Sequence, residues 1–160
     1  MPEPDLVIFD ADDTMRRTLV DGQPCPHAPG EWELLPGVAM GVHRLLRRHP
    51  RVRLGVATNQ DHIGYGLLDE STARALLRAM MEVASGRRID DGAIAVCPHP
   101  APGGCGCRKP EPGLLRAVMA HYRVPPERAL FVGDAPTDEE AAARAGVGFR
   151  WAWDFFGPQP

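Results

Sequence analysis

The sequence predicts an α/β fold in which a mainly parallel sheet is buried between helices on both faces. Two observations carry this reading. Short apolar runs, Leu6–Phe9, Leu54–Ala57, Ile94–Val96 and Ala129–Val132, alternate along the chain with segments whose apolar residues recur at helical spacing. Each run also stops at a polar cluster: Asp10–Asp13, Thr58–Asn59, the loop 97–109 and Asp134–Asp138. Open parallel sheets bind ligands beyond the carboxyl ends of their strands, so these distant clusters can meet in one crevice.

The elements follow in order. Leu6-Val7-Ile8-Phe9 is the first strand. Over 36–49, Val38, Val42, Leu45, Leu46 and His49 share one helical face, and Pro50 ends the segment. Leu54-Gly55-Val56-Ala57 is the second strand. Ala73, Leu76, Leu77, Met80, Met81 and Ala84 form a helical stripe within 69–85, closed by Gly86. The third strand, Ile94–Val96, is followed after the cysteine loop by a helix with Leu114, Leu115, Val118, Met119 and Tyr122 on one face. Ala129–Val132 is the fourth strand. The segment Thr137–Ala145 then predicts a helix, with Thr137 and Glu140 as a capping box. Alternation of Phe149, Trp151, Trp153 and Phe155 predicts a final strand with one aromatic face, for core packing or a dimer edge.

At 160 residues, with 44% hydrophobic and 24% charged residues, the chain is expected to form one globular domain over 1–160. A net charge of −3 gives no reason to propose nucleic acid or a membrane as the main partner. The start MPEPDLVIFD lacks a basic region before a long apolar run, and no segment approaches ~20 apolar residues. Neither a signal peptide nor a span is expected, and the expected location is the cytoplasm. Residues 60–108 are taken up by a helix, a strand and the cysteine loop, which leaves no room for a large cap domain. Residues 15–35 predict only a loop, large enough for a small flap.

Four cysteines in a chain without export signals read as thiols. Cys97, Cys105 and Cys107 fall with His99 in CPHPAPGGCGCRKPEPG, residues 97–113. Thiolate and imidazole donors suit Zn²⁺ in a closed tetrahedral site, which would clip the loop 97–107. A redox pair at Cys105 and Cys107, or thiols without a role, are the alternatives. Cys25 lies in a separate proline-rich loop and reads as an unrelated thiol. Lys109, the one lysine among 18 basic residues, follows the last cysteine of the loop. In so arginine-rich a chain it marks a position that needs a compact point charge rather than a planar fork.

Singly, each strand-end cluster has a structural reading. Asp10-Ala11-Asp12 suits a turn, Thr58-Asn59 opens an ordinary loop, and Asp138 sits where a helix dipole favours an acid. His43, His49 and His121 read as packing or surface residues. Arg16 and Arg17 either meet a second phosphate or carboxylate, or are solvated.

Taken in order, Asp10-Ala11-Asp12-Asp13-Thr14, Thr58-Asn59-Gln60, Lys109 and Gly133-Asp134 with Asp138 resemble the haloacid dehalogenase superfamily of phosphotransferases. The Cys-x-His-x5-Cys-x-Cys segment before Arg108-Lys109-Pro110 is similar to its zinc-containing branch, the histidinol-phosphate and heptose 1,7-bisphosphate phosphatases. Ala11 and Asp13 depart from that branch, which usually has a basic residue and a glycine there. The resemblance implies a three-layer Rossmann-like sandwich and a Mg²⁺-dependent phosphomonoesterase. Asp10 would be the nucleophile, and Asp12 the general acid and base. Thr58 and Lys109 would meet the phosphoryl group, with Asn59 and Arg108 binding substrate. Mg²⁺ would be held by Asp10, the Asp12 carbonyl and Asp134, with Asp138 reaching it through water. Structural Zn²⁺ would be held by Cys97, His99, Cys105 and Cys107. The expected substrate is a small phosphorylated metabolite: a sugar phosphate or bisphosphate, or histidinol phosphate. The alternatives are a phosphatase of nucleic-acid 3′ ends, or a non-catalytic phosphate- or partner-binding module.

Overall fold

The apolar runs become the strands of one sheet. The computed structural model describes residues 3–101 and 104–157. Its parallel five-stranded sheet has the order β5-β4-β1-β6-β7, with β1 Leu6–Phe9, β4 Arg53–Asn59, β5 Ile94–Cys97, β6 Ala129–Gly133 and β7 Gly148–Trp151. From central β1 the chain builds outward through β4 and β5 on one side, and through β6 and β7 on the other. That reversal makes the carboxyl end of β1 the topological switch point. Phe9 pairs in register with Val56 and Val132, so the residues after β1 emerge between the ends of its two neighbours.

Alternation along the strands feeds two cores. Val7, Phe9, Val56, Ile94 and Val132 pack against α1 Val38–Arg48, α3 Glu70–Ser85 and α6 Ala152–Phe156. On the other face Leu6, Ile8, Ala57, Ala95 and Phe131 meet α4 Gly113–Tyr122 and α5 Pro136–Ala145. Each fully buried large aliphatic side chain contributes roughly 1.5–3 kcal/mol by leaving water, so both cores matter. At Gly55 the fit is close: an added Cβ would lie 2.5 Å from Val118 Cγ1, so a side chain here would push α4 off the sheet.

Residues 15–35 are more ordered than a loop. β2 Arg16–Thr18 and β3 Trp32–Leu34 pair antiparallel, and residues 19–31 form the excursion between them. The short helix α2, Asp61–Gly64, follows β4 directly.

Three local expectations are corrected. The aromatic alternation does not continue as a strand: β7 ends at Trp151, and Trp153 and Phe155 lie on α6. A helical turn puts the adjacent Phe155 and Phe156 both against Phe9, with ring centroids 5.7 and 5.9 Å away. A strand would send these neighbours to opposite faces. The start of α5 is not capped by Thr137 and Glu140. The helix begins at Pro136, and the Asp138 carboxylate accepts the main-chain N–H groups of Asp134 and Ala135, each at 3.1 Å. His49 is the residue after α1 rather than part of its apolar face.

Candidate active site at the carboxyl ends of the strands

The loop after β1 is wound around one carbonyl: the N–H groups of Thr14, Met15 and Arg16 all point to Ala11 O. This winding puts Asp13 at φ 65°, in the left-handed region. Aspartate tolerates that region better than most residues, which accounts for Asp13 standing where the resemblance leads to glycine.

Asp10, Lys109 and Asp138 form the buried floor of the site. Lys109 Nζ donates to Asp10 Oδ1 at 2.7 Å, Asp138 Oδ1 at 2.7 Å and Ala57 O at 3.0 Å. Three acceptors use all three ammonium protons. Burial pulls the Lys109 pKa down, and the Asp10 and Asp138 carboxylates outweigh it, leaving the ammonium above its ordinary value. Thr14 Oγ1 stands 3.1 Å from Asp10 Oδ2 and 2.9 Å from Asp134 Oδ1, bonding the two carboxylates into one cluster.

These carboxylates are held uneasily. Burial pushes Asp10 up to about 6, with Lys109 opposing and Asp134 adding to the rise. Burial also raises Asp134 and Asp138, and in Asp138 the charge of Asp10 adds to the effect. One oxygen from each of the three lies within 4.8 Å of the others. Three carboxylates against one ammonium leave an excess of negative charge that a hard divalent cation with oxygen ligands would neutralise. The donor set therefore fits Mg²⁺.

Asp12 points away from this floor. It accepts from Arg16 Nε at 2.8 Å and from Gln60 Nε2 at 2.7 Å. Arg16 is 1% exposed, which excludes the solvated reading, whereas Arg17 lies outside and donates to Glu33 at 2.6 Å. Arg16 Nη1 and Gln60 Oε1 are buried without a hydrogen-bond partner among the described residues. Buried Thr58 accepts from Gln60 Nε2 at 2.9 Å. Asn59 clamps the main chain of Lys109: its Oδ1 accepts from Lys109 N at 3.0 Å and its Nδ2 donates to Lys109 O at 3.2 Å. The sequence reading gave Asn59 to substrate and contained no such holding role.

Asp10, Asp12, Thr58, Asn59, Lys109, Asp134 and Asp138 all line one cleft of about 260 Å³. Arg108 is not on its wall. The Arg108 guanidinium lies 3.8 Å from Asp61 Oδ2, and Asp61 does line the cleft.

The cysteine loop stands beside this cleft. Cys97 Sγ is 3.7 Å from Cys105 Sγ, 3.3 Å from Cys107 Sγ and 3.4 Å from His99 Nδ1, which is 3.2 Å from Cys107 Sγ. Donors around a tetrahedral Zn²⁺ with Zn–S of about 2.3 Å are spaced by about 3.5–3.8 Å; the four distances run from 3.2 to 3.7 Å, so the cluster would close on that ion with outward shifts of a few tenths of an ångström. All four cysteines are free thiols. The Arg108 main-chain N–H, 3.4 Å from Cys105 Sγ, is the main cause holding that thiol down at about 6.

A family profile for haloacid dehalogenase-like hydrolases matches residues 27–146. The chain belongs to this family. Two relatives are D-glycero-beta-D-manno-heptose-1,7-bisphosphate 7-phosphatases. The one from Pseudomonas putida is 40% identical over 73% of this chain and 66% of that protein. The one from Bordetella bronchiseptica is 36% identical over 88% of this chain and 76% of that protein. The chain thus spans about two thirds to three quarters of these relatives. A crystal structure of the B. bronchiseptica D,D-heptose 1,7-bisphosphate phosphatase, complexed with magnesium and phosphate, superposes with a TM-score of 0.74 at 34% identity. The superposition covers 90% of this chain and 78% of that one. These relatives fall in the branch to which the Cys-His loop of this hydrolase points.

Sequence reasoning missed two parts of the site. Gln60, which the sequence reading placed in the Thr58-Asn59-Gln60 motif without a role, is 2% exposed and ties Thr58 to Asp12. Cys25 is not remote from the site. It lines the cleft, and burial, aided by the charge of Asp12, pushes its thiol up to about 12. His27 and His62 lie beside it. The signal was present: Cys25-Pro26-His27 repeats Cys97-Pro98-His99.

Proposed function

We propose that this hydrolase is a Mg²⁺-dependent phosphomonoesterase that works through an aspartyl-phosphate on Asp10, with a heptose 1,7-bisphosphate or closely similar sugar phosphate as substrate. The observation that carries the chemistry is the Asp10–Lys109–Asp138 network beside Asp134. It presents one carboxylate oxygen on a floor where a fixed cation already stands. The names of the relatives support the substrate.

Asp10 attacks phosphorus in line, and the leaving oxygen departs on the side away from it. Repulsion between carboxylate and phosphate is the main obstacle. Asp10 and Asp134 would hold Mg²⁺, with Asp138 reaching it through water, and the ion would supply the charge that offsets this repulsion. Lys109 holds Asp10 Oδ1 and stands ready for charge on the transferring group. Asp12 gives a proton to the leaving oxygen and later takes one from the hydrolytic water. Arg16 and Gln60 fix its carboxylate for both steps. Thr58 bonds a phosphoryl oxygen, and Asn59 acts through the Lys109 backbone. Cys97, His99, Cys105 and Cys107 would hold Zn²⁺ in a closed site, which would keep the loop rigid just before Lys109.

The test is phosphate release with and without Mg²⁺ across a panel of three substrates: the heptose bisphosphate, histidinol phosphate and an oligonucleotide with a 3′-phosphate. Mg²⁺-dependent release fastest from the heptose bisphosphate is expected. Equal or faster release from the oligonucleotide would overturn the substrate, and no release from any member would overturn the activity.

A further inference from the structure

The Cys-Pro-His tripeptide occurs twice, and each copy places a thiol and an imidazole two residues apart. Pro26 restricts its own φ and biases Cys25 toward extended backbone, as Pro98 does for Cys97. The second copy is completed by two cysteines of its own loop. The first is completed from another element: His62 on α2 brings Nδ1 to 2.8 Å from His27 Nε2. One donor atom from each of Cys25, His27 and His62 lies within 4.8 Å of the other two.

The loop that carries the pair is built rather than loose. The Glu31 carboxylate accepts from the His27 main-chain N–H at 2.8 Å and from Gln23 Nε2 at 2.9 Å. Gln23 Nε2 also donates to Cys25 O at 3.0 Å. Cys25 is 5% exposed, and its thiol has no hydrogen-bond partner among the described residues. One thiolate and two imidazoles are a borderline-soft set, which suits Zn²⁺ and not the hard Mg²⁺ of the catalytic floor.

We infer that Cys25, His27 and His62 form a second zinc site that ties the loop 19–31 to α2 at the wall of the cleft. Binding replaces the hydrogen bond between the two rings, because nitrogens sharing a tetrahedral Zn²⁺ stand about 3.3 Å apart. The thiol gives up its proton to solvent as the ion binds. Three protein ligands leave a fourth position for water or a substrate oxygen, unlike the closed site in the loop 97–107. The place of Cys25 on the cleft wall puts that position within reach of the phosphorylated ligand.

The test is a metal titration of the full chain, stripped of metal and refilled with Co²⁺ or Zn²⁺ in excess Mg²⁺, which keeps the carboxylate floor occupied and leaves the two cysteine clusters to be counted. The wild type should take up two ions. The thiolate-to-Co²⁺ band of the ion at the three-thiolate site should be about three times as intense as that of the ion at Cys25. His27→Ala and His62→Ala should each bind one ion, with the three-thiolate spectrum unchanged, which also shows that they fold. A wild type that saturates at one ion, or variants that still bind two, would overturn the inference and leave a hydrogen-bonded histidine pair.

Discussion

Cys25-Pro26-His27 and Cys97-Pro98-His99 are the same tripeptide in two settings. The second is a closed cluster whose four donors come from the end of β5 and the loop that follows it, and it ends two residues before Lys109. The first has three donors from two elements, and its cysteine lines the cleft. The difference separates support from contact. One cluster can act only by positioning a neighbour, while the other stands where a ligand arrives. The carboxylate floor shares the cleft with Cys25; there oxygen donors replace sulfur and the charge is negative.

The largest expected effect falls on the floor itself. Asp10→Asn should lower turnover by roughly 10⁴-fold or more, as expected when a covalent nucleophile is lost, while both cysteine clusters keep their metal content. Turnover near wild type would move the chemistry elsewhere. Lys109→Arg keeps the charge but cannot aim it at Asp10, Asp138 and Ala57 O together. A loss of at least ~10² in kcat is expected with zinc content unchanged. A near-normal kcat would show that only general positive potential is needed there.

The two clusters then diverge. Cys107→Ser should release zinc, lower Tm by about 5–10 °C and reduce activity, because the metal contributes folding free energy to the loop that presents Lys109. Cys25→Ser should shift Tm less than Cys107→Ser and change KM more than kcat. Equal thermal effects from the two substitutions would erase the contrast between a supporting cluster and a contacting one.

The smallest effect is on pH. The folded Asp10 carboxyl is raised to about 6, above its ordinary 3.8, so without Mg²⁺ the folded protein takes up a proton there as pH falls through 6. Mg²⁺ needs the carboxylate. The rise in Tm on adding Mg²⁺ should therefore be present above about pH 6 and shrink below it. Differential scanning at pH 5 and pH 7, with zinc constant, measures this. A rise as large at pH 5 would contradict it.

What the sequence made legible follows the same contrast. Asp10, Thr58, Lys109 and Asp134 could be found because buried strands read as unbroken apolar runs, and polar residues at their ends have few structural reasons to be there. Cys97, His99, Cys105 and Cys107 could be found because their donors lie close together in the chain. His62 could not be tied to Cys25, since their meeting depends on how the hairpin β2–β3 folds over α2. The burial of Arg16 was equally hidden, because its partner Asp12 looks solvent-facing until Gln60 closes the other side. At α6 the alternation misled: Phe155 and Phe156 both serve one core, which only a helical turn allows. At α5, the acid that caps was Asp138 rather than Glu140, because the N-cap is Ala135, two residues before the Thr137 that the pattern indicates.

The central claim is that Asp10 carries the phosphoryl group. The direct measurement is mass spectrometry of Asp12→Asn, acid-quenched during turnover with Mg²⁺ and the heptose bisphosphate, because loss of the base slows release of the intermediate. One phosphoryl group is predicted, on the Asp10 carboxylate. A phosphoryl group on any other side chain, or steady turnover with no phosphorylated protein at all, would contradict it.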